Sequence, residues 1–268
     1  MLEEYEFILS LKLMEFEIRQ ITAYTKAFPQ CYTMLKNKLD GLSDFIHKEE
    51  NSQNWQLCQS NREVQELART VREASIHALR VLEKYQAGHN QKDEIQLSKY
   101  IDLLSISVQS EMQCLHLDEE SKVLFIGSGA FPLTVLTIAE ETGAEVVGQD
   151  LDKEAVELAE QASAMSEAAS RVTFTHQPLK ELGYAKEATQ IIVASHVENK
   201  HEVLEELRQL ANSQAKILIR YGNGLKSLFN YTWPEENHLP GWTQRSGSSA
   251  TQLYDTIILE KALQMKGV

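Results

Sequence analysis

Hydrophobic positions recur along this chain in two rhythms. Up to about residue 115 they come at helical spacing. Between Glu4 and Thr25, Phe7, Ile8, Leu11, Met14, Ile18 and Ile21 share one helix face. Gln30 to His47, Asn61 to Gln86 and Lys92 to Leu115 continue the pattern. Asn61 is placed to cap the third of these segments and Gly88 to stop it. Glycine is otherwise scarce here, with Gly41 the only other one. Residues 1–116 are therefore expected to form an α-helical bundle of about four to six helices. Past residue 116 short β-branched runs alternate with helical segments. Strands are expected at Lys122–Ile126, Glu145–Gln149, Val172–His176, Gln190–Ala194, Lys216–Tyr221 and Leu253–Leu259. Leu133–Glu140, Lys153–Ala168 and Glu202–Leu210 are expected to be helices between them. Trp233–Ser249, rich in Pro, Gly, Ser and Asn, reads as a long loop near the site or a poorly ordered one.

That alternation predicts a doubly wound, Rossmann-like α/β domain over residues 117–268, with right-handed βαβ units. Its most informative stretch is Val123 to Asp152, a strand, a glycine turn, a helix and a second strand that ends at Asp150. Gly127-Ser128-Gly129 lets the backbone turn tightly under a ligand. Asp150 follows about twenty residues later, where a carboxylate can hold two ribose hydroxyls. A dinucleotide fingerprint wants a third glycine where this chain has Pro132. Proline suits the first turn of a helix but not a pyrophosphate resting on helix N–H donors. An adenosine ligand without phosphates, such as S-adenosylmethionine, fits better. Ligands of such sheets lie at the carboxyl ends of the strands. That rule nominates Gly127, Ser128, Gly129, Ala130, Phe131 and Pro132 after the first strand, and Asp150, Leu151 and Asp152 after the second. It adds His176, Gln177, Pro178 and Leu179 after the third, Ser195, His196 and Val197 after the fourth, and Tyr221, Gly222 and Asn223 after the fifth. Leu151 and Leu179 are candidates to sandwich the adenine.

Composition narrows the partners. The 268 residues are 43% hydrophobic and 24% charged, enough apolar content for a sizeable core. A net charge of −13 argues against nucleic acid, which wants clustered Lys and Arg. No apolar run is long enough for a membrane span. The start, MLEEYEFILSLKLMEF, lacks the basic residues of a signal peptide. Cys31, Cys58 and Cys114 are scattered and odd in number, with neither zinc spacing nor a disulfide framework. A reducing cytoplasm is the expected setting. His196 and His201 make no metal site, since no third ligand stands at a recognisable spacing. The apolar first helix is expected to pack inside or against a second copy, which would make a homodimer.

IGSGAFPLTVLTIA resembles the nicotianamine synthases, which carry a glycine turn followed by proline, leucine and threonine. QDLDKEAVELA resembles their D-x-D segment and following helix, KILIRYGNGLKSLF their L-x-L-R strand, and LSKYIDLL the segment before the nucleotide domain. The likeness spans roughly residues 60 to 232. Length and helical N-terminus resemble most the short bacterial members that make opine metallophores.

The resemblance implies that S-adenosylmethionine is a substrate and gives up its 3-amino-3-carboxypropyl group rather than its methyl. The acceptor would be the α-amine of histidine, the D form favoured, and methylthioadenosine would leave. An opine dehydrogenase would consume the product. The metal would belong to that final chelator, not to the enzyme. The resemblance implies Glu73 as the base, in the helix before the nucleotide domain, with His77 one turn on facing the acceptor. The family often has a tyrosine where alignment on Gln96-Leu97-Ser98-Lys99 puts Glu94, and Tyr100 lies close by. Proton handling is therefore expected from Glu73, Glu94 or Tyr100. Arg220, at the end of the fifth strand, would pair with a substrate carboxylate or with acids near Asp150, or else make a buried structural ion pair. Two other readings stay open. One is an ordinary methyltransferase with a helical cap. The other is a helical interaction module on a decayed nucleotide fold.

Overall fold

The computed structural model of the chain describes residues 2–88, 98–234, 239–247 and 252–262. Two compact units emerge. One holds residues 1–107, 221–232 and 250–254, the other residues 108–220, 233–249 and 255–268.

The first unit is helical. It is built from α1 (Leu2–Tyr24), α2 (Gln30–His47), α3 (Glu49–Cys58), α4 (Arg62–Gly88) and the start of α5 (Ser98–Leu115). Leu11, Ile18, Leu35, Leu42, Val64, Val71, Leu79 and Leu82 form its core, joined by Leu225, Leu228 and Phe229 from the returning segment. Each such side chain contributes about 1.5–3 kcal/mol on burial. Asn61 caps α4 as its position implied: its side-chain oxygen accepts the Glu63 N–H at 2.9 Å. Helix α3 was not expected. Its sequence, EENSQNWQLC, carries almost no apolar stripe, and only Asn51 and Cys58 are buried. Asn51 donates to the Phe45 carbonyl at 2.9 Å, so a buried amide joins Cys58 and Trp55, the helix's few core contacts, in anchoring it.

The second unit is a seven-stranded sheet in the order β3-β2-β1-β4-β5-β7-β6. Its strands are β1 (Lys122–Ile126), β2 (Glu145–Gln149), β3 (Val172–Thr175), β4 (Gln190–Val193), β5 (Lys216–Tyr221), β6 (Trp242–Gly247) and β7 (Asp255–Lys261). Helices α6 (Leu133–Thr142), α7 (Lys153–Ser163) and α8 (Lys200–Leu210) connect the parallel part. Strands β1 to β5 pair in parallel, and Ile126 stands level with Gln149 on one side and Val193 on the other. The winding reverses between β1 and β4, which opens a crevice at their carboxyl ends.

Three expectations are corrected. The Trp233–Ser249 stretch is not all loop, because Trp242–Gly247 forms β6, antiparallel to β7. All of β6 but Trp242 is exposed, as in a polar edge strand without alternation. The last strand starts at Asp255, since Leu253 and Tyr254 belong to the helical unit, where the Leu253 carbonyl accepts from Asn230 at 2.9 Å. Helix α7 ends at Ser163, well short of Ala168.

The change of rhythm near residue 116 marks the end of a helix rather than the packing boundary, which falls at 107/108. Val108, Met112 and Leu115 of α5 are buried and counted with the sheet unit. His116 then ends the helix in the left-handed region, φ 56°. Leu117 N–H bonds back to the Met112 carbonyl at 3.0 Å and His116 N–H to that of Gln113 at 3.2 Å. That is a Schellman closure with histidine in the place glycine usually takes.

Candidate functional site

The crevice is organised by one carboxylate. Asp150 leaves β2 with its own N–H bonded to the Thr175 carbonyl at 3.0 Å. One carboxylate oxygen accepts the Gly129 N–H at 2.9 Å and the other the Asp152 N–H at 3.0 Å. Each carboxylate oxygen can accept twice, so both keep capacity for a ligand hydroxyl. Gly127 and Ser128 N–H both bond to the Gln149 carbonyl, at 2.7 and 3.1 Å. Buried Gln149 also donates its side-chain amide to the Gln177 carbonyl at 3.1 Å. The three strand ends that sequence reasoning nominated are therefore linked to one another through Gln149 and Asp150.

The turn needs its glycines. Gly127 and Gly129 have φ of 85° and 68°. A Cβ on Gly127 would come within 2.8 Å of Val197 Cγ2, so the loops after β1 and β4 touch at this point. Ser128 is buried, and its Oγ has no hydrogen-bond partner among the described residues. A buried hydroxyl left without a partner costs about 1–3 kcal/mol, which a polar ligand atom would recover. Pro132 is buried at the N-cap of α6 and Phe131 is half-buried. Of the proposed adenine sandwich, Leu151 is exposed, whereas Leu179 is buried at the start of a 3-10 turn. His176, Gln177 and Pro178 are exposed. Asp152 is a helix cap: its side chain accepts from Glu154 and Ala155 N–H at the start of α7.

After β4, Ser195 is buried and His196 half-buried. Sequence reasoning missed what holds them. Lys200, 2% exposed, donates its Nζ to the Ser195 carbonyl at 2.8 Å and also to that of Val197. Nothing in the sequence distinguishes it from a surface lysine at the start of α8. His201 beside it stacks on Trp233, ring centroids 4.5 Å apart.

Of the two readings of Arg220, the structure shows the buried ion pair. Its Nε and Nη2 bind both oxygens of Glu111 at 2.9 and 2.6 Å, with both side chains 4% exposed. Its Nη1 reaches Thr134 Oγ1 at 3.4 Å, and Phe125 lies under the guanidinium. This fork holds α5 to β5, and a substrate carboxylate would have to displace Glu111.

The remaining candidates lie in the helical unit. Glu73 and His77 are both on the exposed face of α4. Glu73 is paired with Arg69 at 2.7 Å, and Arg69 also grips Glu66. Those two carboxylates, Glu66 first, raise the Arg69 pKa, and Arg69 in turn lowers that of Glu66. Glu63 and Glu66 are exposed as well, whereas Glu83 on the same helix is half-buried. Tyr221 and Asn223 fall in the returning segment of this unit. Between them a Cβ on Gly222 would lie 2.6 Å from the Lys226 carbonyl oxygen, so only glycine fits there. Glu94 lies outside the described residues, and of Tyr100 only its place in α5 is described. No three metal-ligating side chains gather among the described residues, and no described helix is long and apolar enough to cross a membrane.

The family model for nicotianamine synthase proteins matches residues 60–265. The chain belongs to the nicotianamine synthase family. Proteins named L-histidine 2-aminobutanoyltransferase resemble this family member along nearly its whole length. The one from Pseudomonas aeruginosa is 35% identical over 253 residues, covering 94% of this chain and 96% of its own. The one from Yersinia pestis is 32% identical over 246 residues, covering 91% of each. A solved structure of a mutant of MtNAS in complex with S-adenosylmethionine shares the fold at TM-score 0.69 and 14% identity, covering 92% of this chain and 98% of that one.

Proposed function

We propose that this nicotianamine synthase-like enzyme transfers the aminobutyrate group of S-adenosylmethionine to the α-amine of histidine and releases methylthioadenosine. The observation that carries this reading is the match, along almost the whole chain, to relatives named for aminobutanoyl transfer to L-histidine. Their names carry the L form, so L-histidine replaces the D form as the proposed acceptor.

The sulfonium is already a good leaving group, so the protein's task is mainly positioning. Asp150 takes the ribose hydroxyls on the lone pairs its two backbone N–H bonds leave over. Ser128 Oγ meets a polar atom of the same ligand. Ser195 and His196, on a loop held by Lys200, stand beside the methionyl chain and keep its γ-carbon, not its methyl, toward the amine. The amine attacks that carbon, the carbon–sulfur bond breaks with its electron pair going to sulfur, and the acceptor's ammonium proton passes to a carboxylate. We assign that carboxylate to α4. Glu73 is the residue the resemblance names, but an incoming ammonium would have to displace Arg69. Half-buried Glu83 is its competitor on the same helix. The product keeps a free amine for condensation with a keto acid by an opine dehydrogenase, as in the making of an opine metallophore. Three free thiols suit a reducing cytoplasm.

The test is mass spectrometry of purified protein incubated with S-adenosylmethionine and L- or D-histidine separately. Methylthioadenosine and a histidine adduct one aminobutyrate unit heavier, with the L form preferred, are the expected products. S-adenosylhomocysteine in their place would make the chain a methyltransferase. Glu73→Gln and Glu83→Gln in the same assay identify the base.

A further inference from the structure

Helix α1 is apolar on both sides. One face, with Phe7, Ile8, Leu11 and Ile18, is buried in the helical core. The opposite face is apolar too: Leu2, Tyr5, Leu9, Leu13 and Phe16 are 74%, 60%, 62%, 58% and 53% exposed. At about 100° per residue these five fall within roughly a quarter of the helix circumference. They make one straight stripe over about the first four turns, not scattered surface leucines. Single exposed apolar residues need no explanation, but a contiguous stripe does.

We infer that this stripe is the contact surface for a second copy of the chain, α1 against α1 of the partner. Two arguments select that occupant. The first is area. The exposed parts of the five side chains sum to on the order of 600 Å² per copy, against about 800 Å² per partner in a standard specific interface. Flanking residues would supply the difference. The second is charge. Exposed Glu3 and Glu6 edge the stripe on one side, and Lys12 and Arg19 edge it on the other. Lys12 is bridged to Glu63 at 2.7 Å and Arg19 to Glu15 at 3.2 Å, yet the two basic side chains remain 49% and 63% exposed. A two-fold axis parallel to the helices sets the acidic edge of one copy against the basic edge of the other. An antiparallel pairing would set like edges together. The contact is therefore parallel and isologous, Leu9 near Leu9 of the other copy. A lipid surface is disfavoured, since anionic lipids would meet a chain of net charge −13 with glutamates beside the stripe. The inference stands on α1 and does not draw on the proposed reaction.

Sedimentation equilibrium on the full chain tests it. The wild type is expected at twice its 30.5 kDa at micromolar concentration. Leu9→Glu should sediment as a monomer with unchanged circular dichroism, because Leu9 is exposed in the single copy, and its thermal midpoint should fall only to that of the diluted, dissociated wild type. Lys12→Glu should weaken the dimer about tenfold or more, and adding Glu6→Lys should restore it. A wild type that stays monomeric at 100 μM overturns the inference, as does a Leu9→Glu chain that still dimerises. A monomer that floats with phosphatidylcholine vesicles assigns the face to lipid instead. A dimer that Lys12→Glu leaves unchanged or tightens overturns the parallel arrangement.

Discussion

Two arginine–glutamate clusters, one in each unit, show how little a residue pair means without its surroundings. Arg220 and Glu111 form a two-point fork, both 4% exposed. Arg69 forms the same kind of fork with Glu66 and adds Glu73, and these side chains are about half exposed. The chemistry is alike and the consequences are not. Around Arg220 no water replaces a lost partner, so removing one charge strands the other. Around Arg69 water substitutes at once, and the pairs contribute little net. Sequence reasoning nominated a member of each cluster for the active site, Glu73 as the base and Arg220 as either a substrate contact or a structural ion pair. In both cases an opposite charge in the same unit already occupies the residue.

The largest effect expected from this contrast is on the buried fork. Glu111→Ala should cost about 3–5 kcal/mol, read from the denaturant midpoint, because the guanidinium stays buried without its partner. The double change Glu111→Leu with Arg220→Met should recover most of that loss, since an apolar pair carries no desolvation cost. If the double variant were as unstable as the single one, the fork would matter for its shape rather than for paired charge.

Asp150 offers the next test, as a carboxylate whose partners are backbone N–H groups rather than an arginine. Asp150→Ala should weaken S-adenosylmethionine binding roughly 100-fold by calorimetry, from two lost ligand hydrogen bonds and a looser glycine turn. Global stability should change far less than for Glu111→Ala. Unaltered affinity would remove Asp150 from the site.

Part of this was legible in the chain and part was not, for a physical reason. The bounds of β1, β2 and β5 follow from short β-branched runs closed by Gly127, Asp150 and Gly222, all local signals. The glycine turn and Asp150 were legible for the same reason, as a turn and an acid a fixed distance apart, but the Gly129 N–H bond that ties them together was not read from the chain. Helix α3 and strand β6 left no pattern, one held by a buried asparagine and two scattered core side chains, Trp55 and Cys58, and the other an exposed edge. Lys200 and the Arg220–Glu111 fork are invisible locally, because burial is decided by packing between distant segments. Glu111 and Arg220 lie 109 residues apart. Residues fixed by backbone geometry can be named from sequence, whereas those fixed by tertiary burial must be seen.

Gly148 tests that division from within the sheet. It was read only as a residue of β2, yet a Cβ there would meet Phe174 at 2.6 Å and Ser128 at 3.1 Å. Gly148→Ala should therefore cost about 1–3 kcal/mol by overpacking. It should also raise the Michaelis constant for S-adenosylmethionine, because Ser128 at 3.1 Å must give way along with the nearer Phe174 ring. A stability loss with no change in that constant would confine the contact to packing.

The smallest stability effect is expected at Glu73, and it separates a surface ion pair from a catalytic base. Glu73→Ala removes one of two carboxylates around an exposed arginine, and Arg69 keeps Glu66. Denaturant unfolding should shift by about 0.5 kcal/mol or less. Raising the salt concentration should shrink even that, since exposed pairs are screened over about 10 Å at 0.1 M. Activity is independent of this bookkeeping. If Glu73 carries the proton, Glu73→Ala lowers kcat by two orders of magnitude or so while leaving stability in place. If Glu83 carries it, Glu73→Ala leaves kcat unchanged, and Arg69→Ala, which frees Glu73 without touching Glu83, leaves it unchanged as well. A gain of activity in Arg69→Ala would mean the reverse, that the ion pair restrains a working base.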